Sequence, residues 1–172
     1  MTDRAPLTLV LGGARSGKSR HAEALITAGT PPWQYVATAQ ALDDEMARRI
    51  EAHRARREKG WETHEVPLSL PECIARLGAK RTPILVDCLT LWLTNLMLAG
   101  HDVPAASARL EAALDEAVAP IVLVANEVGL GIVPENALAR RFRDEAGRLN
   151  QRLAARATHV IFMVAGLPMP VK

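Results

Sequence analysis

A glycine-rich loop near the amino terminus combines the residue types that bind phosphate. Residues 12–19 read GGARSGKS, after the apolar run LTLVL and before a helix-like pattern. Glycines at its start and centre let the backbone wrap closely, so that successive N–H groups point at a polyphosphate. Lys18 can reach the β and γ oxygens, the Ser19 hydroxyl can ligate Mg²⁺, and the helix dipole adds positive charge. The spacing predicts a nucleotide-binding loop formed by Gly12, Gly13, Ala14, Arg15, Ser16, Gly17, Lys18 and Ser19. A glycine turn that binds nothing is the alternative.

An acidic residue closes another apolar run. Asp87 ends the run PILVD, and a carboxylate at the end of a buried strand is costly unless it meets a cation. Since phosphate-loop enzymes often hold Mg²⁺ with such a residue, we expect Asp87 to be the metal partner of Ser19. The alternative role is the N-cap of the helix that follows, and the two roles could coexist.

Two further polar residues follow the run PIVLVA. Asn126 and Glu127 fall at the predicted carboxyl edge of the sheet, where ligands bind in open α/β sheets. A polar turn is the alternative. The segment does not match the Asn-Lys-x-Asp guanine motif, which disfavours a regulatory GTPase.

A histidine stands among arginines in the helical pattern over residues 43–59, which Asp43 can cap. Arg49, His53 and Arg57 follow one another at four-residue steps and so share a face. Neighbouring cations keep an imidazole neutral and nucleophilic, and they also hold a polyphosphate. The face therefore suits a histidine that attacks phosphorus. An ordinary surface histidine is the alternative.

Composition limits the class of protein. With 172 residues, 49% of them hydrophobic, residues 1–172 fit a single domain. A net charge of +2 and 3% aromatic residues disfavour nucleic acid as a partner. Cys73 and Cys88 lack metal-ligand spacing and indicate buried thiols in a reducing compartment. We expect a cytoplasmic protein, because no secretory signal and no membrane span are recognisable.

Short apolar runs alternate with helical patterns along the chain. Near-continuous apolar runs suit strands buried on both faces of a parallel sheet. Strands are predicted over residues 7–11, 34–38, 83–87, 120–125 and 159–165, with a weaker edge strand over 63–67. Helices are predicted over residues 18–28, 43–59, 70–78, 88–99, 104–118 and 135–157. With the phosphate loop, this order predicts a three-layer α/β P-loop NTPase (RecA-like) domain with a mostly parallel central sheet.

Four segments together resemble one family, the bifunctional adenosylcobinamide kinase / adenosylcobinamide-phosphate guanylyltransferases of cobalamin synthesis. They run nearly from end to end and read GGARSGKSRHAEAL, YVATAQALDDEMARRIEAHRARR, ILVDCLTLWLTNL and NEVGLGIVPENALARRFRDEAGRLNQRLA. The resemblance implies that ATP or GTP phosphorylates the aminopropanol hydroxyl of adenosylcobinamide. GTP then guanylylates a histidine, and GMP passes to the new phosphate to give adenosylcobinamide-GDP and pyrophosphate.

Carried over to this chain, the resemblance assigns residues to these steps. His53, the only histidine of its helix, becomes the guanylylated nucleophile, and Lys18 becomes a catalytic residue of the loop. Further contacts to GTP or its Mg²⁺ are implied for Ala37, Thr38, Ala39, Arg54, Ala55, Arg56, Arg57, Glu65 and Asp87. The resemblance also implies a homotrimer.

Two other functions stay open at this point. A monofunctional P-loop kinase of another small alcohol would form no covalent enzyme–nucleotide adduct. A nucleotide-sensing module would bind GTP without turning over cobinamide.

Overall fold

The computed structural model describes residues 5–41, 44–55, 57 and 59–172, without the side chains at positions 49 and 53. The predicted cap Asp43 and the predicted contact Arg56 lie outside the described residues.

Seven strands and six helices make up the described fold. The strands are β1 (Leu7–Gly12), β2 (Trp33–Ala37), β3 (Trp61–Glu65), β4 (Ile84–Asp87), β5 (Ile121–Asn126), β6 (His159–Val164) and β7 (Leu167–Pro170). The helices are α1 (Lys18–Thr27), α2 (Asp44–Ala55), α3 (Leu70–Gly78), α4 (Leu89–Leu98), α5 (Val103–Glu116) and α6 (Ala137–Arg156).

All seven strands form one sheet in the order β3-β2-β4-β5-β1-β6-β7. Every pairing from β3 to β6 is parallel, and only the β6–β7 pairing is antiparallel. The predicted mostly parallel sheet is therefore confirmed, and the weak strand predicted over 63–67 is the edge strand β3. The edge strand β7 was not predicted, because Pro168 and Pro170 argue against a strand except at a sheet edge.

Apolar side chains fill both faces of the sheet. On one face Val10 and Leu85 pack with Ala22 and Ile26 of α1. On the opposite face, strand residues such as Leu9 and Val36 join the larger cluster that contains α3, α4, α5 and α6. The three-layer α/β arrangement is confirmed by this division.

The helix α4 has an apolar sequence on every face, and most of its side chains are buried in this core. Trp92, Leu93 and Leu96 are buried, whereas Leu98 at its end is 65% exposed. A helix apolar on every face is either deeply buried or meets a partner. For most of α4 the structure shows the first case.

The predicted helix over 43–59 was too long at its carboxyl end. The structure ends α2 at Ala55, so Arg57 does not continue the predicted helical face. Its side chain instead stacks on Tyr35, with Cζ 3.9 Å from the ring centroid, and donates to Thr63 Oγ1 at 2.9 Å. These contacts with the sheet replace another helical turn.

A buried polar network joins the ends of β2 and β4. The Thr38 hydroxyl donates to the Cys88 carbonyl at 2.6 Å and accepts from the Cys88 amide at 2.8 Å. Asn95 of α4 donates from Nδ2 to the carbonyls of Thr38, at 2.8 Å, and Pro67, at 3.0 Å. One buried amide therefore holds the segments after β2 and β3 against α4.

Replacing Asn95 with Ala should destabilise the protein. The substitution leaves two carbonyls without their amide partner and opens a small cavity, which together cost about 2–4 kcal/mol. Thr94→Ala is the matched control, because that hydroxyl donates to the Thr90 carbonyl of the same helix. Urea unfolding followed by circular dichroism measures both variants. Equal stability of the two would contradict the role given to Asn95.

Candidate active site

The loop after β1 has the geometry of a phosphate cradle. Gly12 and Gly17 have φ values of 155° and 93°. A Cβ on Gly12 would lie 2.6 Å from Ser16 Oγ and 2.7 Å from the Met163 carbonyl oxygen, so a side chain does not fit there. Gly17, with positive φ, is the N-cap of α1, and among the described residues no side chain caps that terminus. The first amides of α1 are therefore available to an anion.

Lys18 begins α1 and bends back over the loop. Its Nζ donates to the Gly13 carbonyl at 2.5 Å and approaches Ser16 Oγ at 3.4 Å. The side chain is buried, so its charge is held at the cradle rather than in bulk solvent. A bound phosphate would give this ammonium a stronger, charge-assisted partner than a carbonyl.

A cavity of about 520 Å³ lies beside the cradle at the carboxyl ends of β2 and β4. Its walls combine apolar, acidic and basic side chains. The lining residues are Tyr35, Ala37, Ala39, Gln40, Ala41, Met46, Ile50, Arg54, Arg57, Glu65, Pro67, Asp87, Cys88, Leu91 and Asn126. No residue of the loop lines it, but Asn126 pairs with Gly12 in the sheet, so the two sites are neighbours.

Asp87 lines the cavity but does not cap α4. The N-cap of α4 is Cys88, and one Asp87 oxygen, Oδ2, accepts a hydrogen bond from the Tyr35 hydroxyl at 2.9 Å. Capping was the alternative role for Asp87, and it is wrong. Burial, and then the Asp87 charge, raises the pKa of Tyr35 well above its usual value, so the phenol stays protonated and donates.

Charged residues line the cavity wall formed by α2 and β3. Arg54, one turn after Ile50, forms an ion pair with Glu65 at the end of β3. Arg57 lies over the Tyr35 ring. Two guanidinium groups thus reach the cavity from the segment that contains the histidine, a suitable environment for a polyphosphate.

Most of the further residues predicted to contact GTP or its Mg²⁺ lie together in the structure. Six of them line the cavity: Ala37, Ala39, Arg54, Arg57, Glu65 and Asp87. Thr38 is fully buried, and its hydroxyl is bonded to the Cys88 backbone, so in this structure it joins two strands. Ala55 is the exposed last residue of α2. His53 belongs to α2, and its side chain lies outside the described part of the chain. Direct nucleotide contact by any of these residues stays a prediction.

The cavity contains a cysteine that is unsuited to covalent catalysis. Burial, and then the neighbouring Asp87 charge, raises the pKa of the Cys88 thiol to about 11. Because the thiolate is the nucleophilic form, Cys88 is inert at neutral pH. Both cysteines are free and buried, as predicted.

Tyr35 lines the cavity and donates to Asp87, yet no sequence motif marks it. It precedes Ala37 by two positions, and side chains two apart in a strand point to the same face. Alternation along β2 was the signal that could have found it. The hydrogen bond from Tyr35 to Asp87 could not have been predicted this way, because it depends on the pairing of β2 with β4.

Comparison with protein families identifies the family of this chain. Residues 8–171 match the family model described as cobinamide kinase / cobinamide phosphate guanyltransferase. The chain belongs to this family. The predicted resemblance is confirmed, and so is the enzyme class, which comprises both transferase activities.

Relatives with similar sequences support the same assignment. The chain is 52% identical over 167 residues to the bifunctional adenosylcobalamin biosynthesis protein CobP of Pseudomonas aeruginosa, covering 95% of this chain and 96% of that protein. It is 48% identical over 181 residues to the bifunctional adenosylcobalamin biosynthesis protein CobU of Salmonella typhimurium, covering 96% and 99% of the two chains.

Solved structures show the fold alone. The flagellar accessory protein FlaH of Methanocaldococcus jannaschii matches with a TM-score of 0.55 at 13% identity, over 97% of this chain and 78% of that one. A DnaB-like replicative helicase matches with a TM-score of 0.50 at 13% identity, over 92% of this chain and 47% of that one. The predicted P-loop NTPase fold is confirmed.

Lys18→Ala should slow the phosphorylation of adenosylcobinamide about a hundredfold or more. The change removes a charge-assisted contact that strengthens as charge moves to the leaving group, a loss of about 3 kcal/mol. Lys80→Ala is the control. Lys80 is exposed and precedes β4, so it lies at the amino ends of the parallel strands, away from the phosphate loop. Steady-state kinase assays compare the two. A wild-type rate for Lys18→Ala would show that phosphoryl transfer occurs elsewhere.

Proposed function

We propose that this chain phosphorylates adenosylcobinamide with ATP or GTP and then transfers GMP from GTP to the product, giving adenosylcobinamide-GDP. Family membership over residues 8–171 supports both activities. The observation that carries the proposal is the junction of the phosphate loop with the charged cavity. Gly12, Asp87 and Asn126 are the last residues of the parallel strands β1, β4 and β5, so the loop and the cavity meet at the carboxyl ends of these strands.

The first half-reaction uses the loop. The substrate hydroxyl oxygen attacks the γ-phosphorus, the bond to the bridging oxygen breaks, and the hydroxyl proton passes to a base. Lys18 and the amides at the start of α1 offset negative charge on the phosphate oxygens. This step needs no nucleophile from the enzyme.

The residues present fit Mg²⁺ as a partner of the nucleotide. Ser19 in the first turn of α1 offers a hydroxyl, and Asp87 at the end of β4 offers a carboxylate. Mg²⁺ prefers such oxygen donors, and it commonly takes one or two carboxylates together with substrate phosphates. Within the described part of the chain, no group of three or more His, Cys, Asp or Glu could hold a metal by itself. When bound, Mg²⁺ supplies charge neutralisation at the phosphate oxygens.

The second half-reaction uses His53. A neutral imidazole nitrogen attacks the α-phosphorus of GTP, an N–P bond forms, pyrophosphate leaves, and the ring proton passes to solvent. An oxygen of the cobinamide phosphate then attacks the same phosphorus, the N–P bond breaks, and the imidazole takes up a proton from solvent as it leaves. Position 53 is three residues after Ile50, and residues so spaced share a helical face. Ile50 and Arg54, on either side of position 53 in α2, line the cavity, which supports a role for His53 there.

Other expectations accompany this proposal. A homotrimer, a cytoplasmic location, the single domain over 1–172 and the absence of a nucleic-acid partner stay predictions. Among the described residues, no helix has the length and apolar character needed to cross a membrane.

His53→Ala should separate the two activities. The variant should lose GMP labelling and guanylyl transfer by more than about a thousandfold, because nucleophilic catalysis at phosphorus is removed. Phosphorylation of adenosylcobinamide should persist within about threefold. His101→Ala is the control, since His101 is exposed beyond the end of α4.

Two results would count against this assignment. Formation of the adduct by His53→Ala would move the nucleophile elsewhere. Loss of both activities in a folded His53→Ala protein would mean that the histidine is not specific to the second step. A monofunctional kinase predicts no adduct even in the unmodified protein.

A further inference from the structure

The phenol of Tyr35 reaches Asp87 because of the strand register. β2 pairs with β4 in parallel, with Tyr35 opposite Leu85 and Ala37 opposite Asp87. Leu85 and Asp87 are two residues apart and therefore point to the face of the sheet that carries Tyr35. A long aromatic side chain spans the diagonal distance to a residue two positions further along. The hydroxyl consequently donates to Asp87 Oδ2 at 2.9 Å.

The ring of Tyr35 is held on two sides. Trp61 of β3 packs edge-on, with the ring centroids 5.7 Å apart and the planes at 85°. The Arg57 guanidinium lies over the ring, 3.9 Å from its centroid, and is tied to β3 through Thr63. Tyr35 itself is 4% exposed. A phenol so enclosed has few alternative orientations, so its hydrogen bond constrains the carboxylate strongly.

We propose that Tyr35 is a positioning residue for the nucleotide-bound metal: its hydroxyl fixes the plane of the Asp87 carboxylate and thereby aims the other oxygen at the Mg²⁺·nucleotide. The inference rests on the proposed metal role of Asp87 and adds a residue outside the loop and the predicted contacts. Without this donor, the carboxylate can rotate about its side-chain bonds.

The expected size of the effect follows from metal sites in general. Ligating carboxylates are themselves hydrogen-bonded, and loss of such a partner typically weakens metal affinity or activity 10–100-fold. Tyr35→Phe removes only the hydroxyl and keeps the ring that contacts Trp61 and Arg57. The variant thus isolates the hydrogen bond from the packing.

Mn²⁺ serves as the probe for this site. Electron paramagnetic resonance of the full-length protein with GTP should show Mn²⁺ affinity about tenfold weaker in Tyr35→Phe. Affinity for GTP in EDTA should stay unchanged, since no metal contact is then involved. Thermal melting by circular dichroism verifies that the variant is folded at the temperature of the titration. If the phenol had only a structural role, its loss would not weaken Mn²⁺ affinity while leaving GTP affinity in EDTA unchanged.

Asp87→Asn provides the second arm. In that background, the added Tyr35→Phe change should have little further effect on Mn²⁺ affinity, because both changes act through one group. If Asp87→Asn weakens Mn²⁺ binding but Tyr35→Phe does not, the positioning role is overturned and the metal role stands. If the Tyr35→Phe effect persists in full in the double variant, Tyr35 acts elsewhere, which also overturns the inference. Unchanged Mn²⁺ affinity in Asp87→Asn would overturn the metal role itself.

Discussion

Parallel pairing of β2, β4, β5 and β1 is the constraint on which the site depends. Because these strands run in one direction, their carboxyl ends meet at one edge of the sheet. The loop that follows β1, the alanines at and just after the end of β2, the acid that ends β4 and the amide that ends β5 therefore come together, although they lie far apart in the chain. A buried amide from α4 then ties the segments after β2 and β3 in place. Strand order therefore determines which residues lie beside the phosphate loop.

The cradle and the neighbouring cavity suit the proposed enzyme, which acts on the γ-phosphorus of one nucleotide and the α-phosphorus of GTP. The cradle presents backbone amides and a buried lysine, the groups that stabilise a transferring γ-phosphoryl. The cavity beside it presents Arg54 and Arg57 together with apolar walls, and it adjoins the helix that contains His53. Asp87 borders the cavity and lies one strand, β5, away from β1. In the proposed function, this position makes one carboxylate available to both half-reactions.

Local patterns predicted most of the fold and the loop, because both depend on nearby residues. The glycines of the loop and the apolar runs of the parallel strands are read directly from the chain. The end of α2 could not be predicted from the local sequence. Arg57 contacts Tyr35 of β2 and Thr63 of β3 instead of continuing the helix. The Tyr35–Asp87 hydrogen bond was likewise hidden, because it exists only in the observed register. Strand β7 was missed because its prolines are tolerated only at an edge.

In the proposed mechanism, the second step passes through a histidine of α2. Reaction of the unmodified protein with GTP alone, followed by intact-mass and tandem mass spectrometry, tests it most directly. We expect one added guanylyl group per chain, located on His53, lost in acid and retained in base, as is typical of a phosphoramidate. An adduct on another residue, or no adduct in a protein that makes adenosylcobinamide-GDP, would contradict it.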